Sequence, residues 1–201
     1  MTTISHLTIE VDDSAAADRF YESAFALGDR IRTRVSATPT SGFRGFTLSL
    51  TVSQPSTVSE IVKAAVGAGG IAVKPVAKSM WGIGGTVQAP DGTIWTIATS
   101  AKKDSGPATR AVDQIVLLVG AEDVAASKRF YLDRGLTVAK SFGKYVEFAM
   151  PAGSIGFGLY ARRALAKTAG IQPEGTGSHR LEVGSDAGTF SDPDGFTWVQ
   201  A

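Results

Sequence analysis

The feature that most constrains this chain is a turn and strand that occur twice. Pro90-Asp91-Gly92-Thr93-Ile94-Trp95 returns near the C-terminus as Pro193-Asp194-Gly195-Phe196-Thr197-Trp198, with Pro, Gly and Trp at one common offset. Proline presets its own φ, aspartate bonds the backbone just ahead, and glycine accepts left-handed geometry, so each copy reads as a tight turn feeding a strand. A second set recurs in the same order: Asp13, Ala15, Ala16, Arg19, Phe20 and Tyr21 reappear as Asp123, Ala125, Ala126, Arg129, Phe130 and Tyr131. The chain therefore divides into two related halves, 1–100 and 111–201, the second shortened, joined by a linker of Lys, Asp, Ser, Gly and Pro at 101–110.

Composition narrows the chemistry. With 43% hydrophobic residues in 201, each half can contribute to a buried core. Twenty basic residues face nineteen acidic ones, leaving +1, and no basic block offers a footprint for a nucleic-acid backbone. No apolar run has membrane-spanning length and no leader pattern opens the chain, so the expectation is a cytoplasmic protein with no membrane partner. The absence of cysteine removes thiolate chemistry, and two histidines leave little for a His-rich metal centre.

In the first half, Ile4 to Val11 alternates, with Leu7, Ile9 and Val11 on one face and His6, Thr8 and Glu10 on the other. Asp12 or Asp13 caps a helix through Ala26, Arg30 to Val35 reads as an edge strand, and Phe46 to Val52 is a cleanly alternating strand. Thr57-Val58-Ser59-Glu60 fits a capping box opening a second helix. Strands are expected at Ile71 to Val76, Gly85 to Gln88 and Thr93 to Thr99. The second half reads β, α, β, β, β from Gln114 to Tyr160, then a long connection from Ala161 to Ser178 with room for a turn of helix before Gly170.

Paired βα units, a Phe-Tyr pair late in the first helix of each half and Pro-Asp-Gly-x-x-Trp before the closing strand resemble the vicinal oxygen chelate superfamily, which includes glyoxalase I, bleomycin-resistance proteins and extradiol dioxygenases. The sequence looks most like glyoxalase-like actinobacterial proteins with the tail Pro-Glu-Gly-Thr-Gly-Ser-His (173–179) and Ser-Asp-Pro-Asp-Gly-Phe (191–196). The resemblance implies an α+β fold of paired βαβββ modules whose curved mixed sheets surround a cleft, where metal enzymes of the group hold a divalent ion. It also implies a metal pattern: His on the first strand of a unit and Glu four residues after the turn glycine. His6 fits the first position, but Thr96 and Val199 stand at the second and Gln114 replaces the second histidine. His179 matches the strand-initial histidine of a later unit.

The expected function is binding of a small, partly apolar organic molecule in the cleft, with no metal cofactor and with a homodimer as one assembly. His6 and Glu10 are the candidate catalytic residues, and Gln114, Tyr145, Glu147, Trp81 and His179 the candidate ligand contacts. Trp81 enters because it sits on a Gly-flanked loop; Trp95 and Trp198 alternate onto the core face. The alternative is a metal-dependent lyase, isomerase or dioxygenase using His6, His179 and a displaced glutamate, or a metal-free proton transfer with His6 or Glu10 as base.

Overall fold

The computed structural model describes residues 1–80 and 82–201; Trp81 lies outside the described residues. The chain begins with β1 (Ile4–Val11), α1 (Ser14–Ala24), a 3-10 turn (Gly28–Arg30), β2 (Ile31–Val35), β3 (Thr40–Gly42), β4 (Phe46–Thr51) and α2 (Pro55–Gly67). It continues through β5 (Ile71–Ser79), β6 (Gly82–Gln88), β7 (Ile94–Thr99), β8 (Gln114–Ala121), α3 (Val124–Asp133), β9 (Val138–Phe142), β10 (Tyr145–Phe148) and β11 (Gly156–Ala161). It ends with α4 (Arg162–Ala169), β12 (Gly175–Gly177), β13 (Leu181–Ser185), β14 (Phe190–Ser191) and β15 (Thr197–Gln200).

Two complete βαβββ units, β4-α2-β5-β6-β7 and β8-α3-β9-β10-β11, join edge to edge through the antiparallel β4–β8 pair. They form an eight-stranded sheet in the order β5-β6-β7-β4-β8-β11-β10-β9. The two ends of the chain supply a second sheet of five strands, ordered β14-β15-β13-β1-β2, in which β1 runs antiparallel to β13 and parallel to β2. Thus the opening of the first half and the close of the second share one abbreviated sheet.

The sequence starts its helices at identifiable residues. The Asp13 carboxylate accepts from the Ala16 N–H at 2.9 Å, and Asp123 accepts from Ala125 and Ala126 at 2.9 and 3.0 Å. Helix α2 begins one turn fragment before the capping box expected at Thr57. Pro55 occupies the first helical turn, where its missing N–H costs nothing, and Asp104 accepts from Ser56 N–H at 2.7 Å. Thr57 is instead fully buried. Helix α1 stops at Ala24, short of Ala26, whose φ of 50° leaves the helical region.

The apolar faces of the two sheets share the main core, to which α1, α2 and α3 all contribute. Tyr131 on α3 shows the layering, its ring centroid lying 4.8 Å from Phe157 of the eight-stranded sheet and 5.5 Å from Trp198 of the five-stranded one. Trp95 packs against Tyr21 of α1 and Phe25 just beyond its end, and both tryptophans are 0% exposed, as their alternation requires. Among the described residues, no helix is long and apolar enough to cross a membrane.

Candidate functional site

Alternation along β4 sends Leu48 and Leu50 into the core and Thr47, Ser49 and Thr51 to the opposite face of the eight-stranded sheet. Pairing carries that face across the neighbours: Thr96 lies beside Ser49, Gln114 beside Thr51, and Glu147 beside Gly158. Gln114, Tyr145 and Glu147 therefore share one outer sheet face.

Helix α4 covers part of this face. Leu165 and Ala166 are 2% and 0% exposed and form, with Phe43, a small apolar cluster on Leu118, Tyr160 and Ile171, separate from the main core. The approach is close enough that a Cβ on Gly120 would sit 2.9 Å from the Gly45 carbonyl oxygen and 3.1 Å from Arg162 Cα. Arg162 donates through Nη2 to the Phe43 carbonyl at 2.7 Å and through Nε to the Pro173 carbonyl at 3.2 Å. At the far end Lys74 Nζ donates to the Thr168 carbonyl at 3.0 Å. The long connection from 161 to 178 is thus a strap whose helix is seated on the sheet.

Beyond the end of α4 a cavity of about 430 Å³ remains. Phe43, Ile94 and Ile171 supply apolar walls, and Arg44, Gln88 and Arg180 supply polar ones. Arg44 is 8% exposed, donates to the Asp91 carbonyl and lies 3.4 Å from Thr93 Oγ1; burial lowers the pKa of its guanidinium below the ordinary value. Arg180, also 8% exposed, donates twice to the Thr38 carbonyl and once to Asp12 at 2.7 Å. Its φ of 50° is the left-handed region, a strained conformation for an arginine, held here by those three bonds.

His179 lies behind this cavity. Its ring stacks on Phe196 at 3.9 Å, with Nδ1 on the Arg44 carbonyl and Nε2 2.9 Å from the Asp194 carbonyl. Both ring nitrogens face backbone carbonyl oxygens, so the ring sits between the residues that lead into β4 and the second repeated turn.

His6 and Glu10 lie on the other sheet, on its outer face with Thr8, Arg32, Arg34 and Glu182. Arg34 Nη2 bridges Glu10 at 2.7 Å and Glu182 at 3.1 Å, so the Glu10 carboxylate is held in a part-exposed ion pair. The His6 ring covers Gly184, where a Cβ would meet Cε1 at 2.2 Å. Burial, and then the Arg32 charge, lower the His6 pKa and favour the neutral imidazole. The residues singled out from sequence are therefore divided: Gln114, Tyr145 and Glu147 on one sheet, His6 and Glu10 on the other, and His179 bound to backbone.

The metal pattern divides in the same way. His6 and Val199 belong to the five-stranded sheet, and Thr96 and Gln114 to the eight-stranded one. Among the described residues no three His, Asp or Glu side chains gather as metal ligands, and the charges acting on His6 are the Arg32 guanidinium as well as the Glu182 carboxylate, which Arg34 already pairs. These residues do not fit a divalent ion.

Tyr145 offers a check of the open part of the sheet face. Its hydroxyl lies 3.3 Å from Glu147, which Lys140 approaches at 3.7 Å, and burial followed by the Glu147 charge pushes its pKa up to about 12. Because the folded-state pKa is raised, its contribution to stability is full below pH 10 and is lost as pH rises through about 12. A tyrosinate absorbance titration, compared with Tyr145→Phe, is expected to assign a midpoint near 12 to this ring. Glu147→Gln is expected to lower the midpoint while leaving it above 10, since burial is the larger cause. A Tyr145 midpoint at 10 in the unsubstituted protein contradicts the half-buried placement.

The fold is that of glyoxalase I. The structure superimposes on maize glyoxalase I with a TM-score of 0.63 and 14% identity, covering 98% of this chain and 91% of the maize chain. It superimposes on a putative dioxygenase from Bacillus subtilis with a TM-score of 0.55 and 12% identity, covering 96% of this chain and 71% of that one. No protein-family model matches the sequence, and no curated protein matches it.

Proposed function

We propose that this protein binds a small, partly apolar organic molecule without using a metal ion, and that the cavity at the end of α4 is the binding site. The observation that supports this is the residual 430 Å³ space between the segment that follows α4, the β6–β7 surface and the segment before β4. That volume lies within the range of small-molecule pockets, and Phe43, Ile94 and Ile171 give an otherwise largely polar lining one apolar side. Phe43, Ile94 and Ile171 face the hydrocarbon part of a ligand; Gln88, Arg44 and Arg180 orient its polar part. Here Gln114, Tyr145 and Glu147 lie on the open sheet surface outside the cavity lining.

A fragment screen by ligand-observed NMR, repeated on Ile94→Trp, tests the proposal. The larger indole intrudes on the apolar side of the cavity where the hydrocarbon part of a ligand would lie, so the best ligand is expected to lose at least about 30-fold in affinity, close to 2 kcal/mol. Gln114→Ala is expected to leave affinity within about 2-fold, a change near 0.4 kcal/mol. Ligands that survive Ile94→Trp but are lost in Tyr145→Ala and Glu147→Ala would move the site to the open face. A screen with no ligand sensitive to Ile94 removes the proposal.

A further inference from the structure

The charges around the cavity are unevenly matched. Asp12 pairs with Arg180 at 2.7 Å. The Asp91 carboxylate accepts from the Tyr21 hydroxyl and, at 2.7 Å, from the Thr93 N–H. Glu174 is exposed at the rim. Arg44, by contrast, is 92% buried by residue area, the complement of its 8% exposure, and among the described residues it makes no ion pair. Its recorded partners are a carbonyl and a hydroxyl, which use only part of a five-donor guanidinium. Asp91 is near enough to favour the cation, but burial outweighs it and lowers the Arg44 pKa.

A buried cation without a contacting counter-ion is costly, and in a cavity wall the missing partner can come from a ligand. From this geometry we propose that the ligand is an organic carboxylate. Its anionic head pairs with Arg44, and its hydrocarbon part lies against Phe43, Ile94 and Ile171. The surrounding charges favour a monoanion: a phosphate dianion entering the same space faces Asp12, Asp91 and Glu174 as well as the two arginines. Guanidinium and carboxylate match in planarity and donor spacing, which gives the head group one preferred orientation. This inference rests on the cavity being the binding site and adds the chemical class of its occupant.

The test is isothermal titration of the full chain with phenylacetate, 4-phenylbutyrate and octanoate, each beside its primary amide. At least one acid is expected to bind roughly 10-fold or more tightly than its amide, in keeping with the greater strength of charge-assisted hydrogen bonds. Arg44→Met is expected to remove that preference. Because Arg44 also holds the Pro90–Thr93 turn and its loss can unsettle the fold, Glu174→Gln provides a second readout. Removing a rim carboxylate is expected to tighten acid binding about 2- to 4-fold and leave amide binding unchanged. Amides that bind as well as acids, or a Glu174→Gln variant that weakens acid binding, overturn the carboxylate assignment while the cavity stands. If none of the six compounds binds but uncharged fragments sensitive to Ile94→Trp do, the assignment alone falls. If neither set binds, the binding site itself is wrong.

Discussion

Trp198→Ala is expected to lower the free energy of unfolding by about 3–5 kcal/mol, the usual cost of emptying a large buried aromatic site. Trp198 is 0% exposed and stacks on Phe190 at 5.3 Å, with Tyr131 at 5.5 Å and Phe157 at 5.2 Å. It joins α3, the five-stranded sheet and the eight-stranded sheet at one point, so neither sheet can close over the vacancy without moving the other. Urea melts followed by circular dichroism read the change as a lower midpoint at constant slope. A loss under about 1 kcal/mol contradicts the packing of Trp198 where α3 and the two sheets meet.

Leu165→Asp is expected to release α4 from the sheet while the remainder of the molecule stays folded. Leu165 is 2% exposed in a cluster separate from the main core, and a carboxylate there is taken out of water among apolar side chains, while the Arg162 guanidinium over Phe43 is already bonded to two backbone carbonyls. The effective cost of an unpaired buried charge is several kcal/mol, more than an eight-residue helix recovers from its own hydrogen bonds. Hydrogen exchange at the α4 amides is expected to accelerate by roughly 100-fold or more, with β4 and β8 amides little changed. Binding in the cavity is expected to fail with it, because Ile171 follows directly from the end of this helix. Equal acceleration in α4 and the central strands excludes an independently seated strap.

The repeated motifs show both what could be read from residues and where reading stopped. Tyr21 and Tyr131 occupy the same place in the two α-helical markers, and each donates its hydroxyl to an aspartate, Asp91 for the first and Asp192 for the second. By motif position Asp91 corresponds to Asp194, yet Asp194 instead accepts from Glu122 N–H at 2.8 Å and Ser127 Oγ at 2.6 Å. The switch is possible because Asp192 stands where the first copy has Ala89. Asp192 also accepts from the N–H groups of Asp194 and Phe196, and its burial raises its pKa. Sequence similarity located both turns but could not choose between two aspartates two residues apart.

The candidate site was less legible. His6 and Glu10 share a strand face as alternation requires, but their neighbours Arg34 and Glu182 come from different parts of the chain. Arg44 and Arg180 carried no motif, and neither residue type nor spacing distinguishes a buried arginine from a solvated one. The one local hint is that Arg44 lies between Phe43 and Gly45-Phe46, in an apolar setting unlike that of the exposed arginines of β2.

Local sequence alone determined the internal repeat, the burial of Trp95 and Trp198, the aspartate helix starts and most strands, because alternation and capping depend on residues a few positions apart. Tertiary structure decided the rest. Distant strands had to pair before the chain termini shared one sheet, and the segment after α4 had to lie over the sheet before part of its outer face became a cavity wall. Both depend on contacts between residues more than a hundred positions apart, such as Arg162 with Phe43. Such contacts are selected by the shape and burial of the assembled core, which no local pattern encodes.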